Sequence, residues 1–305
     1  MKVRIGIITH NRREVLVKAI ESAIAQTYEP KEIIVIDDAS SDNTIELAEQ
    51  FPEVEWRRNE SNRGYRHGRD TLMMEEGHDA YCSLDDDSWF LNPDDLTKAV
   101  EQMESTPKLG AIAFTITDRG PNPRRNDPSS PPEVAWFIGC GHLLRSSLVR
   151  ELGGYGSFPG RYGCEEKDLS VRLLDAGYQV VQSREVTVWH DVSFEARPVP
   201  RLHASGVCND LAFDLLRCPL PFLAWQIPKK FLSHLLFVAK FASRSSNSLQ
   251  KHDQKIRKQW GRLVFLKPYF AGLGLFLRQS ASLLAFRAPV SRQTYQEYRR
   301  RMAFS

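Results

Sequence analysis

Apolar positions in the first half of the chain follow two alternating rhythms. Residues 3–8 and 32–36 are short β-branched runs that stop at polar residues, and each reads as a buried strand. Between them, residues 13–26 set Val15, Leu16, Ala19, Ile20, Ala23 and Ile24 at the three-to-four spacing of one helical face. Residues 37–42 are a polar turn, from which Ser41 or Asp42 would cap a helix reaching Phe51. A third apolar run, residues 81–84, ends at Asp85-Asp86-Asp87. Strand, helix, strand, helix in this order predicts an α/β fold whose sheet is largely parallel in this half.

Ligands of such sheets bind beyond the carboxyl ends of the strands. His10-Asn11-Arg12, Asp37-Asp38 and Asp85-Asp86-Asp87 all fall at those ends, so they are expected to converge on one crevice. Three successive carboxylates repel one another unless cations or solvent neutralise them. A hard divalent cation shared with substrate phosphates would do so, and so would plain solvation of an acidic turn. Both readings stand at this stage. Residues 120–132 (GPNPRRNDPSSPP) read as a loop, either a surface connection or a segment near a substrate.

Composition narrows the classes. The 305 residues are 42% hydrophobic and 26% charged, which excludes a disordered, collagenous or multi-span membrane chain as the main reading. Five widely spaced cysteines without a CxxC pair argue against a disulfide framework or structural zinc. With no secretory leader read at the start, a reducing, cytoplasmic location is expected.

Charge changes the picture most. Residues 1–196 carry 22 Lys+Arg and 34 Asp+Glu, whereas residues 197–305 carry 19 and 4. The shift predicts a boundary near 196, with a basic second region, 197–305, suited to an anionic partner. That region mixes apolar clusters with cations: PLPFLAWQIPKKFLSHLLFVAKF, cut by Lys229, Lys230 and Lys240, and KPYFAGLGLFLRQSASLLAFRAP, with Lys267 and Arg278. Neither is long enough uninterrupted to span a bilayer. The expected roles are core helices under the catalytic domain, a homo-oligomer face, or amphipathic helices on an anionic membrane surface. No zinc-finger, helix-turn-helix or RNP-like signal accompanies the charge, so no nucleic acid is expected.

The stretch IGIITHNRREVLVKAIESAIAQTYEPKEIIVIDDASSDNT, followed by NESNRGYRHGRDTLMMEEG and CSLDDDSWF, resembles glycosyltransferase family 2, the inverting nucleotide-sugar transferases of GT-A fold. The family's TYNR-like turn, QTYP-x-EIIVVDD block, N-x-G-x-x-x-ARN segment and D-x-D read here as THNR, QTYEPKEIIVIDD, NRGYRHGRD and DDD. The likeness runs on through GCGHLLRSSLVRELGGY and CEEKDLSVRLLDAGYQV to VWH at 188–190. It implies a Rossmann-like nucleotide-diphospho-sugar transferase domain followed by a basic, mostly helical C-terminal region.

The resemblance also implies roles. His10, with Asn11 and Arg12 in the same turn, lies beside the nucleotide base, and Asp38 contacts base or ribose. Arg69 sets a guanidinium against the base or phosphates, and Asp85 and Asp86 belong to the donor site. Asp87, Asp85 and His190 would hold Mn²⁺ or Mg²⁺ across the diphosphate, unless His190 is structural. Glu166 aligns with the general base, usually Asp in the family, which leaves Glu165 in contention. Trp136 and Gly141 border the sugar and acceptor, with Trp136 equally suited to a core. Cys140 reads as a small buried residue.

The implied reaction is transfer of a sugar from a UDP- or dTDP-sugar to a hydroxyl of a glycan or lipid-linked saccharide, at the cytoplasmic face of a membrane. The ending FRAPVSRQTYQEYRR is similar to rhamnosyltransferase-like members. The alternatives are a polyprenyl-phosphate sugar synthase, a nucleotidyltransferase, or a non-catalytic module that binds sugar nucleotides or membrane.

Overall fold

A computed structural model describes residues 1–118, 133–191, 199–244 and 251–302, so the 120–132 loop lies outside the described residues. The chain divides into two compact units. The first comprises residues 1–156, 169–192 and 296–305; the second comprises 157–168 and 193–295.

The first unit is built on one sheet. Its strands are β1 (Val3–Thr9), β2 (Lys31–Asp37), β3 (Glu55–Arg58), β4 (Ala80–Asp85), β5 (Ser88–Phe90), β6 (Leu109–Thr117), β7 (Gly141–Arg145) and β8 (Gln179–His190). Their spatial order is β3-β2-β1-β4-β7-β6-β8-β5. The strands β3, β2, β1 and β4 run parallel, as the alternation of strands and helices predicts. The strand β7 lies antiparallel between β4 and β6, β6 and β8 are again parallel, and β5 pairs antiparallel with β8.

Helices cover both faces. Helix α1 (Arg13–Ile24) buries Leu16, Ala19, Ile20 and Ala23, the stripe read from the sequence. These side chains join Val3, Ile5, Ile7, Leu84 and Leu143 in one core. On the opposite face, α2 (Tyr65–Met74) and α4 (Ser146–Leu152) supply Leu72, Met73, Leu148 and Val149 to a second core with Ile8, Ile34 and Leu144. Helix α3 (Asp95–Ser105) adds Leu96, Ala99, Val100 and Met103 to the first core. Each leucine, isoleucine, valine or methionine among them contributes roughly 1.5–3 kcal/mol when fully buried.

One expected element is different. The segment after Asp42 is a short 3₁₀ helix over Thr44–Glu49, not an α-helix through Phe51. The Asp42 carboxylate explains the change: it accepts hydrogen bonds from the backbone N–H of Arg13 and Thr44 and from the Thr44 hydroxyl. Asn43 takes a left-handed conformation with φ of 60°. A carboxylate that grips local donors competes with a regular helical start.

The second unit is helical: α6 (Val199–Arg217), α7 (Leu220–Ser243), α8 (Lys251–Trp260) and α9 (Leu266–Ala285). Helix α6 is buried around most of its second half, from Val207 to Leu216, and packs against α9. Two helices bridge the division: α5 (Glu165–Asp175) begins in the second unit, and α10 (Arg292–Met302) ends in the first.

Candidate active site

Register places the acidic turns. In the first unit, Thr9 pairs with Asp37 across β1 and β2, and Ile8 pairs with Asp85 across β1 and β4. The ends of three parallel strands are therefore level. The strand β1 lies between β2 and β4, so the chain passes to its two sides in turn, the arrangement that opens a ligand crevice at strand ends.

At β1, Asn11 adopts a left-handed φ of 54°, and its backbone N–H donates to Ser40 Oγ at 2.9 Å. Its side-chain oxygen accepts from Ser41 N–H at 2.6 Å. His10 Nδ1 lies 2.9 Å from the Asp38 carbonyl. The turns after β1 and β2 are thus tied together. Asp38 is buried, and its carboxylate accepts from Asn59 Nδ2 at 2.7 Å, Arg63 N–H at 2.9 Å and Gly64 N–H at 2.8 Å. It anchors the chain that leads into α2, where Gly64 has a φ of 86°.

The three aspartates after β4 have separate partners. Asp85 pairs with the buried Arg69, whose guanidinium lies 4.9 Å over the Tyr65 ring. Asp86 accepts from Thr9 Oγ1 at 3.0 Å and from Arg12 Nη1 at 2.9 Å. The same Arg12 nitrogen donates to Asp87 Oδ2 at 2.8 Å. Asp86 and Asp87 are both buried, which removes the plain solvated turn as an account of them. Burial, with repulsion from Asp87 and Asp85, pushes the Asp86 carboxyl up to about 7 against the pull of Arg12 and Thr9.

His190 reaches this cluster through strand pairing. It pairs with Ser88 across β5 and β8, and the neighbouring Trp89 and Trp189 stack with centroids 6.1 Å apart. Its Nε2 lies 3.2 Å from Asp87 Oδ1. Ser88 Oγ accepts from Asp85 N–H at 2.7 Å and donates to the Cys140 carbonyl at 2.8 Å, which fixes the turn before β7.

Donor atoms of Asp85, Cys140 and His190 lie within 4.8 Å of one another. Burial, with the charge of Asp85, holds the Cys140 thiol well above the usual thiol range, and its soft sulfur is a poor match for a hard cation that takes oxygen ligands. Of the three, Asp85 and His190 remain, and Asp87 lies against His190 Nε2, so carboxylate and imidazole donors stand together as Mn²⁺ or Mg²⁺ requires. The residues fit such an ion.

Other expected site residues are placed less directly. Trp136 is half-buried. Gly141 is buried in the sheet, where a Cβ would stand 2.8 Å from Ile116 Cδ1 and 3.4 Å from Val188 Cβ, so close side-chain packing is a sufficient account of a small residue there. Glu165 and Glu166 open α5 in the second unit, with Glu165 buried and Glu166 only partly so. Their turn is shaped by Asn209 of α6, which sequence reasoning missed. Asn209 Oδ1 accepts from Gly160 N–H at 2.7 Å, and its Nδ2 faces the carbonyls of Gly160, Tyr162 and Gly163 at 2.8–3.0 Å. A Cβ on Gly160 would collide with Asn209 Oδ1 and the Ser205 backbone. Behind the turn, Arg217 holds Asp168 through Nε at 2.6 Å and Nη2 at 3.3 Å.

Comparison with known proteins agrees with this architecture. The chain is similar in fold to the mannosyltransferase PcManGT from Pyrobaculum calidifontis, solved with GDP-Man and Mn²⁺. The TM-score is 0.55 at 18% identity over 93% of this chain and 87% of that one. Residues 1–349 of TarS from S. aureus give a TM-score of 0.58 at 15% identity, covering 98% and 92%. In sequence, the glucosyl-dolichyl phosphate glucuronosyltransferase of Haloferax volcanii is 26% identical over 226 residues, 65% of this chain and 71% of that protein. The poly-beta-1,6-N-acetyl-D-glucosamine synthase of Staphylococcus aureus is 31% identical over 181 residues, and the match spans only 40% of its length. The fold is that of the GT-A glycosyltransferases. The profile of glycosyl transferase family 2 matches residues 4–157, and the chain belongs to that family and is a glycosyltransferase.

Proposed function

We propose that the chain transfers a sugar, with inversion and with help from a divalent cation, from a UDP- or dTDP-sugar to a hydroxyl of a glycan or lipid-linked saccharide. The observation that carries this reading is the gathering of Asp38, Asp85 and Asp87 at and just beyond level strand ends, with His190 against Asp87, in a family 2 chain. The relative from Haloferax, by its name, acts on a sugar carried by dolichyl phosphate, and this favours a lipid-linked saccharide over a bare lipid phosphate as acceptor. Residues 1–196 are the catalytic domain in this reading.

The roles follow from chemistry. Asp38, held by the 59–64 segment, keeps acceptor capacity for a base or ribose donor, with His10 and Asn11 forming the wall beside it. Asp85, Asp87 and His190 would hold Mn²⁺ or Mg²⁺, which would supply Lewis-acid stabilisation to a diphosphate leaving group. Arg12 and Arg69, which hold the three aspartates, are the cations available to phosphate oxygens once the carboxylates have another partner. Glu166 takes the proton of the acceptor hydroxyl as its oxygen attacks the anomeric carbon. The bond to the phosphate oxygen breaks, and nucleoside diphosphate departs from the opposite face. Glu166 is preferred to Glu165 because a base must reach its substrate and Glu165 is buried. Trp136 and the 139–141 turn border the acceptor.

A thermal-shift series with UDP, dTDP, GDP and CMP nucleotides, each with Mn²⁺, Mg²⁺ or EDTA, tests the donor half. A ligand that binds only the folded state raises the melting temperature by mass action. One nucleoside diphosphate should stabilise the chain with metal and not with EDTA. Absence of a shift for all of them overturns the donor assignment.

A further inference from the structure

The second unit turns large apolar side chains outward in ordered lines. On α7, Gln226, Val238 and Phe241 are buried, whereas Trp225, Lys229, Leu232, Leu236 and Lys240 are exposed at spacings of one helical face. Trp225 is 70% exposed. On α9, Tyr269, Gly272, Phe276 and Leu283 face inward, while Phe270, Leu277 and Leu284 recur every seven residues on the outside. A helix on a water-facing surface normally shows the reverse. Exposed apolar side chains scattered singly need no explanation, but a continuous line does.

Charge identifies what covers these lines. Neither α7 nor α9 contains an acidic residue, and the cations Lys229, Lys240, Lys267 and Arg278 are exposed along them. Of the four acidic residues after position 196, Asp210 and Asp214 are engaged with Lys167, Lys230 and His234, and Glu297 with Arg300 and Arg301. The surface is therefore apolar and cationic with little acid to offset it. A second copy of the same face would bring cations against cations. A bilayer with anionic headgroups matches both properties: apolar side chains enter the headgroup boundary while lysine and arginine stems reach back to phosphate. No described helix is long and apolar enough to cross the bilayer, so attachment lies along its surface.

We infer that the outward faces of α7 and α9 form an interfacial docking surface for anionic lipid. This inference does not depend on the proposed sugar transfer. It is tested with the full chain in EDTA and without donor, so its failure and the failure of that reading are separate results.

The experiment is flotation with vesicles of phosphatidylcholine alone or mixed with phosphatidylglycerol, at low and high salt. The expected result is at least about tenfold stronger binding to the mixed vesicles, weakened by salt. The double variant Leu232→Glu, Leu236→Glu and the single variant Phe270→Glu should each lose about tenfold or more while keeping the native circular dichroism and melting temperature. A milder variant, Lys229→Gln with Lys240→Gln, should lose binding chiefly at low salt. Failure to float with anionic vesicles at low salt overturns the inference. So does unchanged binding by folded glutamate variants, or a dimer in sedimentation velocity that Leu236→Glu dissolves while vesicles go unbound.

Discussion

The two units place charge and apolar surface in opposite ways. In the first, acidic side chains are drawn inside at the strand ends, and aliphatic side chains fill two cores against the sheet. In the second, Asp210 and Asp214 lie within ion pairs of the helices while the apolar residues of α7 and α9 turn outward. Of the 16 large hydrophobic side chains exposed among the described residues, 14 belong to the second unit, although it is the smaller of the two. A buried carboxylate needs a partner, and here arginines supply it. An exposed leucine needs none to be folded, so its excess speaks of contact rather than stability.

Several changes would break or sharpen that contrast. The largest expected effect is on turnover: Glu166→Gln should lower kcat by about 10²–10⁴ while leaving the nucleotide thermal shift intact. Initial rates with one saturating donor measure it, and a Glu166→Gln enzyme of normal rate would move the base elsewhere. Next comes the sheet. Leu143 is fully buried on β7, so Leu143→Ala should cost about 2–5 kcal/mol in denaturant unfolding.

A smaller effect depends on pH. Burial, with Arg69 nearby, lowers the His142 imidazole to about 3, and its ring packs 4.5 Å from Phe137 with Nδ1 bonded to the Ile138 carbonyl. Between about 6.5 and about 3 the unfolded chain takes a proton that the fold refuses, so stability falls with falling pH by about 1.4 kcal/mol per pH unit. Replacement of His142 by Gln should remove that part of the slope, read from urea unfolding at a series of pH values. A slope unchanged by the variant would place the acid sensitivity elsewhere. The smallest effect completes the contrast: Leu236 is 47% exposed, and Leu236→Ala should leave stability within about 0.5 kcal/mol. A cost like that of Leu143→Ala would mean that α7 is held by its outer face after all.

The strand-end turns were legible because β-branched runs that stop at polar residues mark both a strand and its end. The α1 stripe was legible for the same reason, since periodicity needs only local sequence. The 3₁₀ segment at Thr44–Glu49 was not, because Asp42 acts through side-chain bonds to Arg13 and Thr44 that no apolar period records. The pairing of Arg12 with Asp86 and Asp87 spans more than seventy positions. Asn209 was invisible for a similar reason: a polar residue in an apolar stretch of helix looks like an interruption until the turn at 160–163 comes to lie against it. His190 was readable only through the family resemblance, and its place beside Asp87 depends on the β5–β8 pairing.

Gly272 has a further consequence. A Cβ there would meet the Ala204 carbonyl and stand 3.0 Å from Val207 Cβ, so α9 lies directly on the backbone of α6. The outer face of α9 is therefore a finished helix before it touches anything. Peptides that coil up on arrival at a surface release a large heat and lose entropy in ordering. Here that ordering is complete beforehand. Titration calorimetry of the chain into anionic vesicles should show the negative heat-capacity change of apolar burial without the heat of helix formation, and far-UV dichroism should not change on binding.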